Sequence, residues 1–399
     1  MVTPLFLLIT ASTFAYFVAV GALIPILPRY AKGPLGGGDV SVGLAIGAFA
    51  LAAVVLRPFA GRLGDRRGRR ILIVGGAGIV AVSTAGYLAA DSLPLLIGLR
   101  ILSGAGEAGF YVGAATVIND LAPDERRGEA LSFFSLALFS GIAVGPLLGE
   151  TLLQGISFGA VWIASASSAV IAAVLGLRVG ETRPDEAAEA KPPPLVHPAG
   201  LLPGAVLGTI ICGLAGFDSF VPLYALEIGF EGSGVIFFIF SAIIIAVRSL
   251  GATLPDRIGR HRIARIGLVA TAAGLGTIAL WATPAGLYLG TAIFAFGHSL
   301  TFPALMSLAV MAAPPSERGA VIGTFTAFFD LAFGAGAIGL GAVAEVAGYR
   351  ATFATASAIA LGGLLLLLFY GRRSAAAAER AAREDDDEAE VEPLPSSSV

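Results

Sequence analysis

Charge is scarce in this chain of 399 residues: aspartate, glutamate, lysine and arginine together make up 13% of it. That is about half the share of a water-soluble domain, so an ordinary soluble globule is excluded. Cysteine is nearly absent, and the lone Cys212 rules out an intramolecular disulfide. In an apolar stretch it reads as a small core residue. Histidine occurs three times. No cluster of histidine, cysteine and carboxylate has the spacing of a metal site or of a nucleophile with its base, so no metal, cofactor or catalytic centre is expected. Long polar stretches are missing, apart from one near mid-chain and one at the C-terminal end. The N-terminus lacks the basic start of a secretory signal and its apolar run reaches Leu27; it is read as a retained first span.

What fills the chain is apolar: 56% of the residues are hydrophobic, and the mean hydropathy is +0.86. Lipid is the solvent that suits such a composition. Backbone groups cannot stay unpaired in hydrocarbon, so the spanning segments must be helices or a closed barrel. The runs are too long and too little alternating for barrel strands, whereas a spanning helix takes about 20 apolar residues. Twelve helical spans are predicted, numbered 1 to 12 in chain order, at 4–27, 40–61, 71–90, 94–118, 129–149, 158–178, 201–226, 234–254, 263–282, 286–311, 319–343 and 350–370. The polar stretch 180–200, with its Pro192–Pro194 run, is the expected cytoplasmic linker between a first half, 1–179, and a second, 201–371. Residues 372–399 are alanine-rich, then acidic, then rich in serine and proline. Their start can continue the last helix, and the remainder is expected to form a disordered cytoplasmic tail.

Positive charge sorts the loops. Arg62, Arg66, Arg67, Arg69, Arg70, Arg126, Arg127, Arg257, Arg260, Arg262, Arg318, Arg372 and Arg373 fall on one side of this layout, and Arg29, Lys32 and Arg350 on the other. Lysine and arginine mark the cytoplasmic side. A multi-pass protein of the plasma (inner) membrane with both termini in the cytoplasm follows as the expectation.

The basic side has a repeated pattern. Arg57, Asp65, Arg66, Gly68 and Arg69 recur as Arg248, Asp256, Arg257, Gly259 and Arg260, each pair 191 positions apart (248 − 57, 256 − 65). Pro123, Arg127 and Gly128 recur as Pro314, Arg318 and Gly319 at the same offset. An internal two-fold repeat in a membrane protein is a transporter signature.

These residues resemble the major facilitator superfamily. Gly61-Arg-Leu-Gly-Asp65-Arg66-Arg67-Gly68-Arg69-Arg70 is similar to the family's motif between spans 2 and 3, and Arg100-Ile-Leu-Ser-Gly104-Ala-Gly106 to its span-4 motif. Gly141-Ile-Ala-Val-Gly145-Pro146-Leu-Leu-Gly149 resembles the span-5 motif associated with proton-driven antiporters, except that Glu150 stands where a glycine is common. The likeness covers roughly residues 4–370. It implies an all-α integral membrane protein of twelve transmembrane helices in two pseudo-symmetric six-helix bundles, rocking about a central cavity lined by spans 1, 4, 7 and 10. It also implies a cytoplasmic gate, with Asp65 at the N-terminus of span 11 and Arg69 near Asp120. No acid matches Asp120 in the second half, which leaves the mirror gate at Asp256 and Arg260 incomplete.

Charges inside spans cost about 2.5–3.5 kcal/mol each on insertion scales, so each one needs a reason. Arg100, Glu107, Asp218, His298 and Asp330 stand out. Arg100, Ser103, Glu107 and Tyr111 are spaced by three and four and form one polar stripe on span 4. His298 is Glu107 plus 191, so the two are expected to face each other across the cavity. Glu107, His298, Asp330, Asp218, Arg100 and Tyr111 are the candidate proton-coupling or substrate-binding residues. Arg57 and Arg248 are expected near the interface, where long side chains snorkel. Gly104-Ala-Gly-Glu-Ala-Gly109 satisfies a dinucleotide pattern, but it lies within a span and not at a strand-to-helix turn, so it reads as helix packing.

The expected function is secondary transport: proton-driven efflux of small amphipathic compounds, powered by the proton gradient alone. The expected partners are a small-molecule substrate and the bilayer, with no nucleic acid or nucleotide, and the expected state is a monomer. The alternatives are a proton-coupled importer of a metabolite and, from another class, a polytopic membrane enzyme. The latter would need a polar catalytic cluster at the membrane surface, which the basic loops lack.

Overall fold

A computed structural model describes residues 3–123, 126–182, 196–250, 258–314 and 317–391, with side chains described as far as Phe369 except at Arg127 and Gly128. Ten helices among these residues are long and apolar enough to cross a membrane. One of them, Arg318–Phe369, is two helices meeting at Gly348, where φ is +79°. Another apolar helix, Gly234–Leu250, is only slightly shorter, so twelve spans are present.

Span 1 is Pro4–Leu23 continued, after a break at Ile24 and Pro25, by Ile26–Lys32. Spans 2 to 6 are Asp39–Arg67, Arg69–Gly86, Leu93–Leu121, Arg127–Gly155 and Phe158–Leu177. Spans 7 to 10 are Pro198–Glu227, Gly234–Leu250, Arg260–Leu280 and Pro284–Met311. Span 11 is 318–347, and span 12 runs from 349 to 391. Helix starts follow local chemistry. Thr3, Ser157 and Thr283 each place a hydroxyl on an N–H of the first turn, and proline occupies the first turn of spans 1, 4, 7 and 10, where its missing N–H costs nothing.

One expectation needs correction. The basic stretch between spans 2 and 3 is not a loop: Arg62–Arg67 remains helical, and the turn is Gly68 alone, at φ +99°. Gly259, its mirror, turns into span 9 at φ +91°, and only glycine takes this backbone region cheaply. The start of the tail continues span 12, and the helix runs through Val391, as its alanine-rich sequence favours. Asp256 and Arg257 and most of the linker lie outside the described residues.

The two halves repeat one another in packing. Spans 3 and 4 meet at backbone distance: a Cβ on Gly106 would stand 2.7 Å from the Gly76 carbonyl. Spans 9 and 10 meet at the mirror positions, where a Cβ on Gly297 would stand 2.6 Å from the Gly267 carbonyl. The glycine-rich run at 104–109 thus does the packing expected of it. Between the halves, span 2 lies along span 11 and span 5 along span 8, two contacts that the pseudo-symmetry exchanges.

The core shows where the halves join. One continuous apolar cluster links Leu27, Val42 and Ile46 of the first half to Phe220, Tyr224, Ala337 and Leu340 of the second. All of these lie toward the end opposite the arginine-rich loops. Near the basic end the first half keeps a separate cluster, built on Ile73, Phe110, Val117, Ile118 and Phe134. The bundles are joined at one end and part toward the other.

Gly106→Val and, in the mirror position, Gly297→Val should each cost about 1–3 kcal/mol by overpacking. Earlier thermal unfolding of the purified protein would register this; unchanged melting of both variants would mean that these helix pairs have slack.

Candidate functional site

Inside the spans, between the halves, two arginines face the cleft. Arg57 of span 2 forms an ion pair with Asp330 of span 11, in the opposite half, and its guanidinium lies 4.9 Å from the centre of the Tyr111 ring on span 4. Arg248 of span 8 lies 4.4 Å from the ring centre of Phe139 on span 5 and 5.8 Å from that of Phe302 on span 10. The expectation that these arginines snorkel to the interface is therefore corrected. Each has a partner on a helix of the other half, Asp330 for Arg57 and the Phe139 ring for Arg248. The arrangement is symmetric by position: Tyr111 and Phe302 are 191 apart, as are Phe139 and Asp330.

Glu107 and Asp330 are buried, at 7% and 5% exposure. Glu107 has Arg57, Tyr16 and Arg100 as its electrostatic neighbours. Tyr16, from span 1, stacks on Phe110 at 3.8 Å and turns its hydroxyl toward the Glu107 carboxylate, just short of full hydrogen-bond geometry. Arg57 thus sits between two carboxylates, one in each half. Arg100 is buried, donates from Nε to the Ala45 carbonyl at 2.9 Å and covers the Phe49 ring, which ties span 4 to span 2.

Among the described residues no contact joins His298 to Glu107. Its ring packs on Phe240 and Phe294, its Nδ1 has no hydrogen-bond partner, and its charged neighbour is Arg248. Each member of the repeat pair stays beside the arginine of its own half. Asp218 is half-buried in span 7 and, among the described residues, stands apart from this group.

At the basic end, Arg69 Nε lies 3.5 Å from Asp120, as expected. Asp65 is different: among the described residues it pairs with Arg69, at 3.1 Å, with 67% of its side chain exposed, and not with span 11. Cβ atoms on Gly61 of span 2 and on Gly319 and Gly323 of span 11 would meet nothing within 4 Å. These helix ends are apart. Arg66 lies in the last turn of span 2, and Arg260 opens span 9. Glu181, which the sequence did not single out, accepts from the first N–H groups of span 3, Arg69 N at 2.7 Å and Arg70 N at 3.3 Å. Thr182 donates to Asp120 at 2.9 Å. The start of the linker is thus fastened to the motif.

The opposite end is closed by a second set of contacts. Glu150 of span 5 pairs with Arg29 at 2.8 Å and accepts from Ser233 N at 2.9 Å, just ahead of span 8. Glu345 of span 11 accepts from the backbone of Asp39 and Val40 at the start of span 2. Each carboxylate sits on the N-terminus of a helix in the other half, where the helix dipole favours an anion. Lys32 adds bonds to Asp39 at 2.6 Å and to the Tyr349 hydroxyl at 2.7 Å. The span-5 motif brings the helices together here. A Cβ on Gly145 would stand 2.6 Å from Ala22 N of span 1, and one on Gly234 would stand 2.9 Å from the Pro146 carbonyl. Gly141 and Gly149 face span 1 in the same way.

The family profile of the Major Facilitator Superfamily matches residues 9–285 and 234–397. The chain belongs to the major facilitator superfamily. An uncharacterised transporter of this type from Salmonella typhimurium is 30% identical over 368 residues, covering 88% of this chain and 93% of its own. Another, from Pseudomonas aeruginosa, is 32% identical over 378 residues, covering 88% and 89%. Among solved structures, the chain resembles a bacterial homologue of the human lysosomal transporter Spinster in an inward-facing, occupied conformation, with TM-score 0.79, 14% identity and coverage of 93% and 98%. It also resembles the human organic anion transporter MFSD10, with TM-score 0.69, 19% identity and coverage of 92% and 100%.

As a major facilitator the protein is a membrane transporter and not an enzyme, and the fold expected from the motifs is present. The sequence reading missed the partners at Tyr16, Glu181 and Glu345, and it met Glu150 only as a departure from a motif. The 191-residue offset applied to Asp330 would have found Phe139.

Glu150→Gln removes the charge that fastens spans 1, 5 and 8. A hydrogen bond to a charged group contributes about 1.5–3 kcal/mol, so the closed end should open measurably. Spin labels at Asp91 and Glu231, exposed on opposite halves, should gain a longer-distance population in a Cys212→Ser background. An unchanged distance distribution would contradict this role.

Proposed function

We propose that this major facilitator is a proton-driven exporter of small amphipathic compounds, working as a monomer in the plasma (inner) membrane with both termini in the cytoplasm. On that orientation the conformation described is closed outward and open to the cytoplasm. The observation that carries the reading is the Arg57–Asp330 ion pair, which crosses between the halves inside the spans. A proton reaching Asp330 cancels its charge and releases Arg57, which turns toward Glu107 in its own half. A cross-half contact whose strength depends on a proton biases a two-state element. The glycine and proline spacing of span 5 supports export over import. Arg69 with Asp65 and Asp120 forms the cytoplasmic gate, re-engaging span 11 when the cavity faces outward. Asp218 and His298 line the route as secondary candidates.

Flux in proteoliposomes under an imposed pH gradient, across a panel of dyes, drugs and metabolites, tests the direction. Substrate movement opposite to protons supports the proposal, and movement with protons makes the protein a symporter. Asp330→Asn should abolish gradient-driven accumulation while leaving substrate exchange in the absence of a gradient; gradient-driven transport at the wild-type rate would remove Asp330 from the coupling. Asp65→Asn should insert normally but depress transport, and wild-type rates in that variant would remove the gate role.

A further inference from the structure

The two repeats place the same parts around their arginines except at one position. Arg57 has an aromatic ring, Tyr111, and a carboxylate, Asp330. Arg248 has the matching ring, Phe302, but the place of the carboxylate is taken by Phe139. Arg248 Nε is buried and without a hydrogen-bond partner, and among the described residues no carboxylate pairs with this guanidinium. Its remaining neighbours are Tyr111 and His298, neither of which is a standing anion. Arg57 thus has two carboxylate neighbours, Asp330 and Glu107, whereas Arg248 has none among the described residues. A cation removed from water without a counter-ion is costly, and it becomes favourable when a ligand brings the missing charge.

The wall around Arg248 is apolar. Phe139 lies beneath the guanidinium, and Phe302 continues into Phe325 and Phe329, at ring separations of 5.5 Å and 6.4 Å. A small fully polar anion would leave these rings unused. An acid group on an aromatic or aliphatic body would fill both the charge and the surface.

We propose that Arg248 is the anchor for cargo, and that the cargo is a small organic anion whose carboxylate, sulfonate or phosphate takes beside Arg248 the place that Asp330 takes beside Arg57. The inference rests on the transporter reading of the cleft and narrows the substrate class within it. It also gives the two halves different duties: one arginine carries an internal acid, and the other waits for an external one.

The test uses purified full-length protein and three probes that share one ring system: 1-naphthoate, 1-naphthylmethanol and 1-naphthylmethylamine. In equilibrium dialysis the acid should bind about tenfold or more tightly than the alcohol or the amine, and Arg248→Gln should remove that preference. Arg248→Lys should keep part of it. The sharper variant is Phe139→Asp, which completes the repeat by giving Arg248 its own counter-ion. It should lose the acid preference with Arg248 intact, whereas Phe139→Asn, similar in shape but neutral, should keep a preference for the acid. Monodisperse elution and an unchanged melting temperature check that each variant is folded. Equal binding of the three probes, a preference for the amine, or retained acid preference in Phe139→Asp would overturn the assignment. Transport separates this inference from the exporter reading. Proteoliposomes that move the amine or alcohol against protons, but not the acid, overturn the anion anchor alone. Preferential binding of the acid without any proton-linked flux supports the anchor and overturns the exporter reading.

Discussion

A guanidinium inside a spanning helix must reach water or meet negative charge, and Arg57 meets it in Asp330 on the far side of the cleft. Much of the architecture follows from that requirement. The pair lies on spans 2 and 11, which also meet through close glycine contacts, Gly43 at the Ala337 carbonyl and Gly47 at the Gly334 carbonyl. It sets Tyr111 under the guanidinium and holds Arg57 within electrostatic range of Glu107. Breaking a buried pair by removing one partner costs about 3–5 kcal/mol, a large effect next to the few kcal/mol that separate two conformations of a protein. A contact of that size between two bundles is large enough to set which conformation prevails.

Much of the fold was legible in the sequence because lipid leaves few options. Twelve apolar runs, a one-sided distribution of arginine and a constant offset between halves determine helices and their repeat without any knowledge of contacts. The buried state of Glu107 and Asp330 was legible for the same reason, since a carboxylate inside an apolar run has nowhere cheap to point except inward. What remained hidden were partnerships across the cleft. Arg57 and Asp330 are 273 residues apart, and nothing local in either segment names the other. Glu345 and Glu181 were hidden for a different reason. Each acts by accepting from backbone N–H groups at a helix start, and a backbone partner has no signature in side-chain sequence. Glu107 and His298, a pair related by the repeat, each keep to the arginine of their own half.

Gly68 illustrates how far a local signal reaches. The density of glycine and arginine there suggested a loop, but one residue at φ +99° makes the whole turn. The charges on either side remain helical and are presented as a rigid set. Rigidity matters for a gate. Arg69 already lies against Asp65 and Asp120, so the motif is organised while the basic ends of spans 2 and 11 are apart. Closing them requires movement of the halves and not the folding of a loop.

The two ends of the molecule are built on unlike principles, and the difference explains how it can alternate. At the joined end, Glu150 and Glu345 sit on the helix starts of the opposite half, so closure there uses carboxylates against backbone donors that water can replace when the end opens. In the interior, Arg57 has Glu107 as an alternative partner in its own half, whereas Arg57 is the one cation beside Asp330 among the described residues. A conformational change that opened the joined end with the interior pair intact would strain spans 2 and 11 at their shared register. One that broke the interior pair with both charges in place would strand the Asp330 carboxylate in a low dielectric. On the proton coupling proposed above, the least costly route changes the charge on Asp330 at the moment the halves move. Spans 2 and 11 each carry one element of the interior pair and one of the joined end, so a movement of either helix is felt at both places.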